Sequence, residues 1–396
     1  MKKVWDKWTR IALVKRILVG LILGAILGIA VPQATGIAIL GDVFVSALKA
    51  IAPLLVFFLV ISSLCNAGKS HGGVIKTVII LYMFSTVLAA VIAVFASMAF
   101  PVKMTLANAA TDTSAPQGIV EVLNNLLLNV VANPVSSLVN ANYVGILMWA
   151  VLLGLAFRVA DKMTKKVLAD VADGISMVVT WIINLAPFGI FGLVFNTVST
   201  NGLDIFTTYG KLLILLVGCM LFIYFVTNPL LVYWCIRQNP YPLIFHCLKR
   251  SALTAFFTRS SAANIPVNMK VCEEMGLDRD TYSVTIPLGA TINMDGAAIT
   301  ITVMTMATAF TLGIHVDIPT AIILSLLAAL SACGASGVAG GSLLLIPMAC
   351  SLFGISDDIS MQVVAVGFII GVVQDSVETA LNSSSDLLLS ASAEFR

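Results

Sequence analysis

Asp295 is the residue whose setting in the sequence most clearly indicates chemistry. It lies in the segment Asn-Met-Asp-Gly at residues 293–296, within a stretch (284–314) that has no other charge and is otherwise mostly apolar. A carboxylate at the centre of a bilayer costs about 2.5–3.5 kcal/mol on insertion scales. Polar, irregular backbone at that depth is tolerated where it is buried in protein or lines a cavity. The segment therefore predicts half of an ion or substrate site. The alternative is a carboxylate that pairs with a basic residue between helices.

A second polar group follows one face of the last apolar segment, residues 359–390. Asp375, Thr379, Asn382 and Asp386 stand at positions i, i+4, i+7 and i+11, within an arc of about 60° on a helix. Carboxylates inside a spanning helix indicate a functional site by default. We therefore expect this stripe to face the Asp295 segment. A smaller polar face in an earlier apolar segment consists of Tyr82, Ser85 and Thr86.

Two segments of small residues, 257–266 and 331–342, share one layout. Each lies between apolar arms that are too short to span a bilayer, because a crossing helix needs about twenty residues. The layout predicts two re-entrant hairpins that enter the membrane from opposite faces, as in transporters with inverted repeats. The first segment could instead be a cytoplasmic loop with Arg259 in water. The second could instead be a glycine-rich interface between helices.

The composition indicates an integral membrane protein without a sizeable soluble domain. Mean hydropathy is +1.02, and 11% of the residues are charged, against about 25% in soluble domains. The net charge of +2 gives no indication of a nucleic-acid partner. The seven cysteines show no spacing typical of a metal site, and we expect no disulfide framework.

Apolar segments and basic residues together predict the topology. Lys and Arg are concentrated on alternate connections, and this side is expected to be cytoplasmic. We predict about eight full crossings of the cell (inner) membrane, with both termini in the cytoplasm. Asp42 and Lys49, seven residues apart on one face, are candidates for an ion pair. The simple apolar segments are residues 17–31, 37–64, 78–100, 143–157, 178–198 and 212–236.

The two hairpins, the Asn-Met-Asp-Gly break and the polar stripe together resemble the dicarboxylate/amino acid:cation symporter family, which includes the glutamate transporters. The resemblance covers nearly the whole chain. It implies an all-α integral membrane fold, the glutamate-transporter-homologue fold, with eight transmembrane helices, two opposed re-entrant hairpins and inverted repeats, assembled as a homotrimer. It also implies scaffold helices 1–2 in residues 1–77 and scaffold helices 4–5 in 102–205. The transport domain would comprise helix 3 in 78–101 and helices 6–8 in 206–396, with hairpins at about 241–274 and 319–353.

The same resemblance implies which residues bind substrate and Na⁺. The substrate carboxylate would meet the first hairpin tip, the second hairpin near Val338, and Asn382, while Asp375 would take the amino group. The implied substrate-binding set is Ser260, Ser261, Val338, Asp375, Glu378, Thr379 and Asn382. One implied Na⁺ site contains Gly289, Asn293, Asn382 and Asp386, a second contains Tyr82, Ser85, Thr86, Asn293 and Asp295, and part of a third contains Thr291 and Met294.

Two positions depart from the acidic-amino-acid transporters of the family. Glu378 stands where they carry Arg, and Ala297 stands where they carry Thr. Arg recognises a carboxylate in a bidentate manner, whereas Glu repels it, so an anionic substrate is not expected. A small neutral amino acid with a hydroxyl group fits better, and the chain resembles the bacterial serine/threonine branch of the family.

We therefore expect a secondary active transporter, not an enzyme, that imports serine and threonine by Na⁺ symport through alternating access. The expected partners are a small amino acid, sodium ions and membrane lipid. A proton-coupled symporter, or a broader neutral or dicarboxylate amino-acid symporter of the same fold, is the alternative. An ion channel would need a continuous polar pathway instead of clustered Asp and Ser residues. An intramembrane hydrolase would need a base near the serine tip, and all three histidines lie outside that segment.

Overall fold

The computed structural model describes residues 11, 13–66, 73–106, 127–203, 205–333, 335 and 340–396. All of the regular elements within these residues are helices. Two π-helical turns, Ile223–Thr227 and Leu248–Ala252, each join one helix to the next, within residues 205–236 and 241–258. The α-helices are α1 (Leu13–Ala30), α2 (Ile39–Asn66), α3 (Gly73–Ala99), α4 (Pro134–Val139), α5 (Tyr143–Ala156), α6 (Lys162–Asn184), α7 (Ala186–Asn201), α8 (Ile205–Phe222), α9 (Asn228–Ile236), α10 (Tyr241–Cys247), α11 (Leu253–Thr258), α12 (Ser261–Glu274), α13 (Arg279–Ile292), α14 (Asp295–Thr311), α15 (Ile318–Ala332), α16 (Ile346–Ser351) and α17 (Asp357–Glu394).

Six helical segments of the described chain are long and apolar enough to cross a membrane. Their outer surfaces carry large apolar side chains; Val43 on α2 is 62% exposed and Ile214 on α8 is 74% exposed. Such a surface is expected where lipid surrounds the protein, so the chain is a multi-pass membrane protein. The six segments are Thr35–Asn66, Gly73–Ala99, Lys162–Asn184, Phe206–Ile236, Arg279–Thr311 and Asp357–Glu394.

Residues 162–201 form helices that differ from the sequence prediction. We expected one span at residues 178–198 after a basic loop. The structure instead begins α6 at Lys162, where the side chain of Asp161 accepts a hydrogen bond from the backbone N–H of Thr164 at 2.7 Å. The helix ends at Asn184, and α7 begins two residues later, at Ala186, with Pro187 in its first turn. The apolar run is therefore split between two helices, because proline is favoured at a helix start and disfavoured in its interior.

The helices pack into two groups. In one group α1 packs against α7, and α2 packs against α5, α6 and α7. In the other, α14 packs against α3, α15 and α17, and α17 also contacts α8, α11 and α12. Fewer contacts join the groups, mainly those of α17 with α2 and α7 and of α16 with α5. Lys49 of α2 belongs to this junction, because its ammonium lies 2.7 Å from Asp358 and 3.6 Å from Asp357 at the start of α17. The predicted pairing of Lys49 with Asp42 is therefore wrong.

The small-residue segment 257–266 separates two helical arms. Helix α11 ends at Thr258, Arg259 takes a left-handed φ of 52°, and α12 begins at Ser261. The Ser260 hydroxyl caps α12 by accepting a hydrogen bond from the N–H of Ala263 at 3.2 Å. The interpretation of this segment as a loop with Arg259 in water is wrong, because Arg259 is buried.

A buried polar network joins this first helical pair to the last helix. The Asn264 Nδ2 group donates to the Ser383 hydroxyl at 2.8 Å, and the Asn268 Nδ2 group donates to the Ser383 carbonyl at 2.8 Å. The Ser251 hydroxyl donates to Asn268 Oδ1. Because a buried polar group is costly when unpaired, these bonds fix the first pair of arms to α17.

The predicted break at residues 293–296 is present. Helix α13 ends at Ile292 and α14 begins at Asp295, so Asn293 and Met294 lie in non-helical backbone between two buried helix ends. The last polar segment, predicted as residues 359–390, forms the single long helix α17. Both features lie within the second packing group, where they can position a shared site.

Candidate functional site

The carboxylate of Asp295 is fully buried and is held by two hydroxyl groups of α3. The Ser85 hydroxyl donates to Oδ2 at 2.7 Å, and the Thr86 hydroxyl donates to Oδ1 at 3.1 Å. None of the ion pairs between described residues includes Asp295. A buried, ionised carboxylate with only neutral partners is strongly disfavoured unless it takes up a proton or a cation joins it. This half of the site therefore has the charge and the oxygen atoms to take a cation.

Asn228, at the start of α9, adds an amide to the same place. Its Oδ1 atom lies 3.5 Å from the Ser85 hydroxyl, and its buried Nδ2 group has no hydrogen-bond partner among the described residues. The sequence analysis did not identify Asn228. The signal was a polar residue followed by Pro229 inside the apolar run 212–236, which marks a local disturbance of the helix.

Asp386 forms the centre of a second buried group. The Nδ2 group of Asn293 donates to Asp386 Oδ1 at 2.9 Å and to the Ser385 hydroxyl at 2.8 Å, while its Oδ1 atom has no partner in the described structure. Gly289 packs directly here, since a Cβ atom at this position would lie 2.7 Å from Asp386 Oδ1 and 2.9 Å from the Tyr82 hydroxyl. The arrangement offers several oxygen atoms of the kind that hard cations prefer.

Tyr82 lies beside Asp386, although the resemblance grouped it with Asp295. Its hydroxyl donates to the carbonyl of Asp386 at 2.9 Å and is 2.7 Å from the Ser390 hydroxyl. Tyr82 shares α3 with Ser85 and Thr86, one turn apart. Helix α3 therefore contacts both Asp295, through its carboxylate, and Asp386, through its backbone carbonyl.

Asn382 connects the break to the last helix. Its Oδ1 atom accepts a hydrogen bond from the backbone N–H of Gly296 at 2.7 Å, and its Nδ2 group lies 3.4 Å from the sulfur of Met294. Met294 is buried, whereas Thr291 is half-buried and donates to the carbonyl of Leu288 at 2.8 Å. Thus the structure brings together the predicted residues of the break and those of α17.

Asp375 lies about two helical turns before Asn382 on α17. It contacts residues of both small-residue segments. Its Oδ1 atom accepts a hydrogen bond from the backbone N–H of Gly340 at 3.1 Å, and its Oδ2 atom is 3.5 Å from Nε of Arg259. A cavity of about 20 Å³ adjoins this ion pair, enough for one water molecule. The hydroxyl of Thr379 donates to the backbone carbonyl of Asp375 at 2.8 Å.

Glu378 is the fourth buried carboxylate. Its Oε2 atom accepts hydrogen bonds from Thr300 at 2.6 Å, Ser342 at 2.9 Å and Gln374 at 2.5 Å. The sequence analysis identified Glu378 but none of these three partners. Thr300 and Ser342 are 78 and 36 positions away in the chain, so no local spacing could reveal them. Gln374 is four residues before Glu378 on the same helix, and its i, i+4 spacing was the available signal.

The remaining predicted substrate residues belong to the two small-residue segments. Ser260 is half-buried and Ser261 is buried at the start of α12, next to the Arg259 that pairs with Asp375. Val338 lies outside the described residues. Ala297 is buried in the first turn of α14.

Taken as a set, four carboxylates are buried against one partnering guanidinium. Asp295 is 0% exposed, Asp386 1%, Asp375 4% and Glu378 5%. Such an excess of buried negative charge is unfavourable unless protons neutralise it or positive charge lies close by. Sodium ions and the ammonium group of an amino acid can supply it.

Comparison with known proteins gives a consistent result. Residues 13–394 match the family model described as the sodium:dicarboxylate symporter family. The chain is 58% identical over 396 residues to the serine/threonine transporter SstT of Bifidobacterium adolescentis, covering 100% of this chain and 92% of that protein. It is 55% identical over 395 residues to the serine/threonine transporter SstT of a Streptococcus thermophilus strain, covering 100% of this chain and 98% of that protein.

Proposed function

Because the chain belongs to the sodium:dicarboxylate symporter family, we propose that it imports serine and threonine together with Na⁺. Membership places it among transporters and not among enzymes, as the sequence analysis predicts. The observation that carries the proposal is the carboxylate of Asp295, fully buried and bonded to Ser85 and Thr86. The names of the two relatives support serine and threonine as substrates.

We assign the cations to the break between α13 and α14. One Na⁺ would bind Asp295 with the hydroxyls of Ser85 and Thr86, and another would bind Asp386 with Asn293, Asn382 and the carbonyl of Gly289. The unpartnered Oδ1 atom of Asn293 supports this assignment, because a buried acceptor needs a donor or a cation. Tyr82 would contribute between the two sites, and Thr291 and Met294 to a third.

The amino acid would bind between the two small-residue segments and α17. Its carboxylate would meet the tip at Ser260 and Ser261, the second tip near Val338, and Asn382. Its ammonium group would pair with Asp375, in place of or beside the guanidinium of Arg259. The remaining substrate-facing positions are Glu378 and Thr379 on α17.

Architecture and mechanism follow the same proposal. We propose eight crossings and two re-entrant hairpins with the inverted repeats that the resemblance implies, in a trimer in the inner membrane with cytoplasmic termini. The group of α1, α2, α5, α6 and α7 would be the fixed scaffold, and the group around α14 and α17 would move. The sparser packing between the groups supports alternating access by relative movement.

Uptake into proteoliposomes tests the proposal. With an inward Na⁺ gradient and no pH gradient, radiolabelled serine should accumulate, and collapse of the Na⁺ gradient should release it. Accumulation driven by a pH gradient without Na⁺ would identify the proton-coupled alternative. Strong competition by aspartate or by large neutral amino acids would identify a broader symporter. Protein-free liposomes provide the baseline.

A further inference from the structure

Thr300, Ser342 and Gln374 form a cage of hydrogen-bond donors around one oxygen atom of Glu378. The hydroxyls of Thr300 and Ser342 and the amide of Gln374 all bond to the same carboxylate oxygen, Oε2. The amide of Gln374 also donates to the Thr300 hydroxyl at 2.7 Å. Thr300 lies on α14, Ser342 is the last residue of the second small-residue segment, and Gln374 lies one turn before Glu378 on α17. Three elements therefore fix one side-chain orientation.

The cage leaves two oxygen acceptors without a hydrogen bond from the residues that the structure describes. All three bonds to Glu378 end on Oε2, and none between described residues ends on its Oε1 atom. The Oε1 atom of Gln374 is buried and has no partner within the described chain. A buried acceptor without a donor is costly. A ligand group here must therefore be a donor, such as a hydroxyl, and neither a methyl group nor a carboxylate satisfies it.

The position of the cage suits the side chain of a small amino acid. Glu378 is three residues after Asp375 on α17, so the two side chains are neighbours on one helix face, about 5–6 Å apart at Cβ. The ammonium and hydroxyl groups of serine and threonine are on adjacent carbon atoms. One such molecule can therefore place its ammonium at Asp375 and its hydroxyl at Glu378.

We propose that Thr300, Ser342 and Gln374 are specificity-determining positioning residues, which hold Glu378 so that its Oε1 atom accepts a hydrogen bond from the substrate hydroxyl. This inference rests on the proposed function and adds the source of its selectivity. Their hydrogen bonds end on Glu378, so they act on the substrate through its carboxylate. The cage then selects serine and threonine over alanine, because alanine leaves the carboxylate oxygen unpaired.

The test compares serine with alanine in Na⁺-driven uptake by proteoliposomes containing the full chain. Thr300→Val should reduce the apparent affinity for serine about tenfold or more, the factor expected for a hydrogen bond to a charged group. Affinity for alanine should change less than about threefold. Gln374→Met and Ser342→Ala should also lower the ratio of the apparent affinity for serine to that for alanine, called here the serine-to-alanine ratio.

Thr302→Val is the matched control, since Thr302 is also buried in α14 and its hydroxyl has no partner among the described residues. It should leave the ratio at the wild-type value. Thr300→Ser keeps a hydroxyl and should restore selectivity, which covers the case in which Thr300→Val does not fold. Equal losses for serine and alanine in the cage variants, or an unchanged ratio, would overturn the inference.

The two proposals fail in different measurements. Na⁺-dependent serine uptake by the wild type tests the proposed function. The serine-to-alanine ratio among variants tests the cage, and an unaltered ratio in a protein that still transports serine with Na⁺ would refute the cage alone.

Discussion

The amide of Asn293 donates a hydrogen bond to the carboxylate of Asp386 at 2.9 Å, across 93 positions of the chain. It joins the break between α13 and α14 to the last helix. Asn293 is two residues before Asp295, so a single irregular turn links both buried carboxylate groups. Binding of a cation at one group is therefore expected to affect the other.

The carboxylates should divide their roles between ion and substrate. We expect Asp386→Asn to raise the Na⁺ concentration for half-maximal uptake by about tenfold or more, because it removes a charge from the cation group. Asp375→Asn should instead weaken serine binding at saturating Na⁺. Both are measured as uptake against Na⁺ and against serine. The division of roles would be wrong if the two variants changed both quantities equally.

Gly289 should not tolerate a methyl group. In Gly289→Ala the added Cβ would lie 2.7 Å from Asp386 Oδ1 and 2.9 Å from the Tyr82 hydroxyl, closer than van der Waals contact allows. We expect a several-fold increase in the Na⁺ concentration for half-maximal uptake. Gly174→Ala is the control, since its Cβ would meet nothing within 4 Å. Wild-type Na⁺ dependence in Gly289→Ala would show that this close approach does not shape the cation site.

The substrate preference should follow the charge at position 378. Glu378→Arg removes the acceptor and adds a bidentate donor for carboxylate, and Ala297→Thr adds a hydroxyl nearby. We expect the double variant to lose serine uptake and gain aspartate binding, measured by competition against labelled serine and by direct aspartate uptake. The specificity argument would be undercut by a variant that binds no more aspartate than the wild type.

The network that joins the first helical pair to α17 should contribute to stability. Asn268→Leu removes the donor to the Ser383 carbonyl and the acceptor for Ser251, which leaves buried polar groups unpaired at about 1–3 kcal/mol each. The melting temperature in detergent should fall by a few degrees. Asn184→Leu alters an exposed amide of α6 and serves as the control. A fall of the same size in both variants would argue against the network.

Local patterns in the sequence predicted the parts of the site that lie on single elements. The stripe from Asp375 to Asp386 follows from helical periodicity, and the break at Asn293 follows from polar residues in an apolar run. Both depend on spacing of a few residues, which the sequence contains directly.

Contacts between distant elements could not be predicted in the same way. The pairing of Arg259 with Asp375 joins residues 116 positions apart, and the bond from Thr300 to Glu378 spans 78. Arg259 resembled a solvated loop residue because the sequence shows no partner for it. The wrong pairing of Lys49 with Asp42 has the same origin, since the acidic residues at the start of α17 are closer in space.

The ion pair of Arg259 with Asp375 has a consequence for the energetics of binding. Its guanidinium already supplies the positive charge that an incoming ammonium group would bring. An amino acid therefore exchanges one counter-charge for another, and the net gain is the difference between two favourable interactions. A site of this kind binds its substrate with moderate affinity. A transporter needs moderate affinity because it must release the substrate on the opposite side of the membrane.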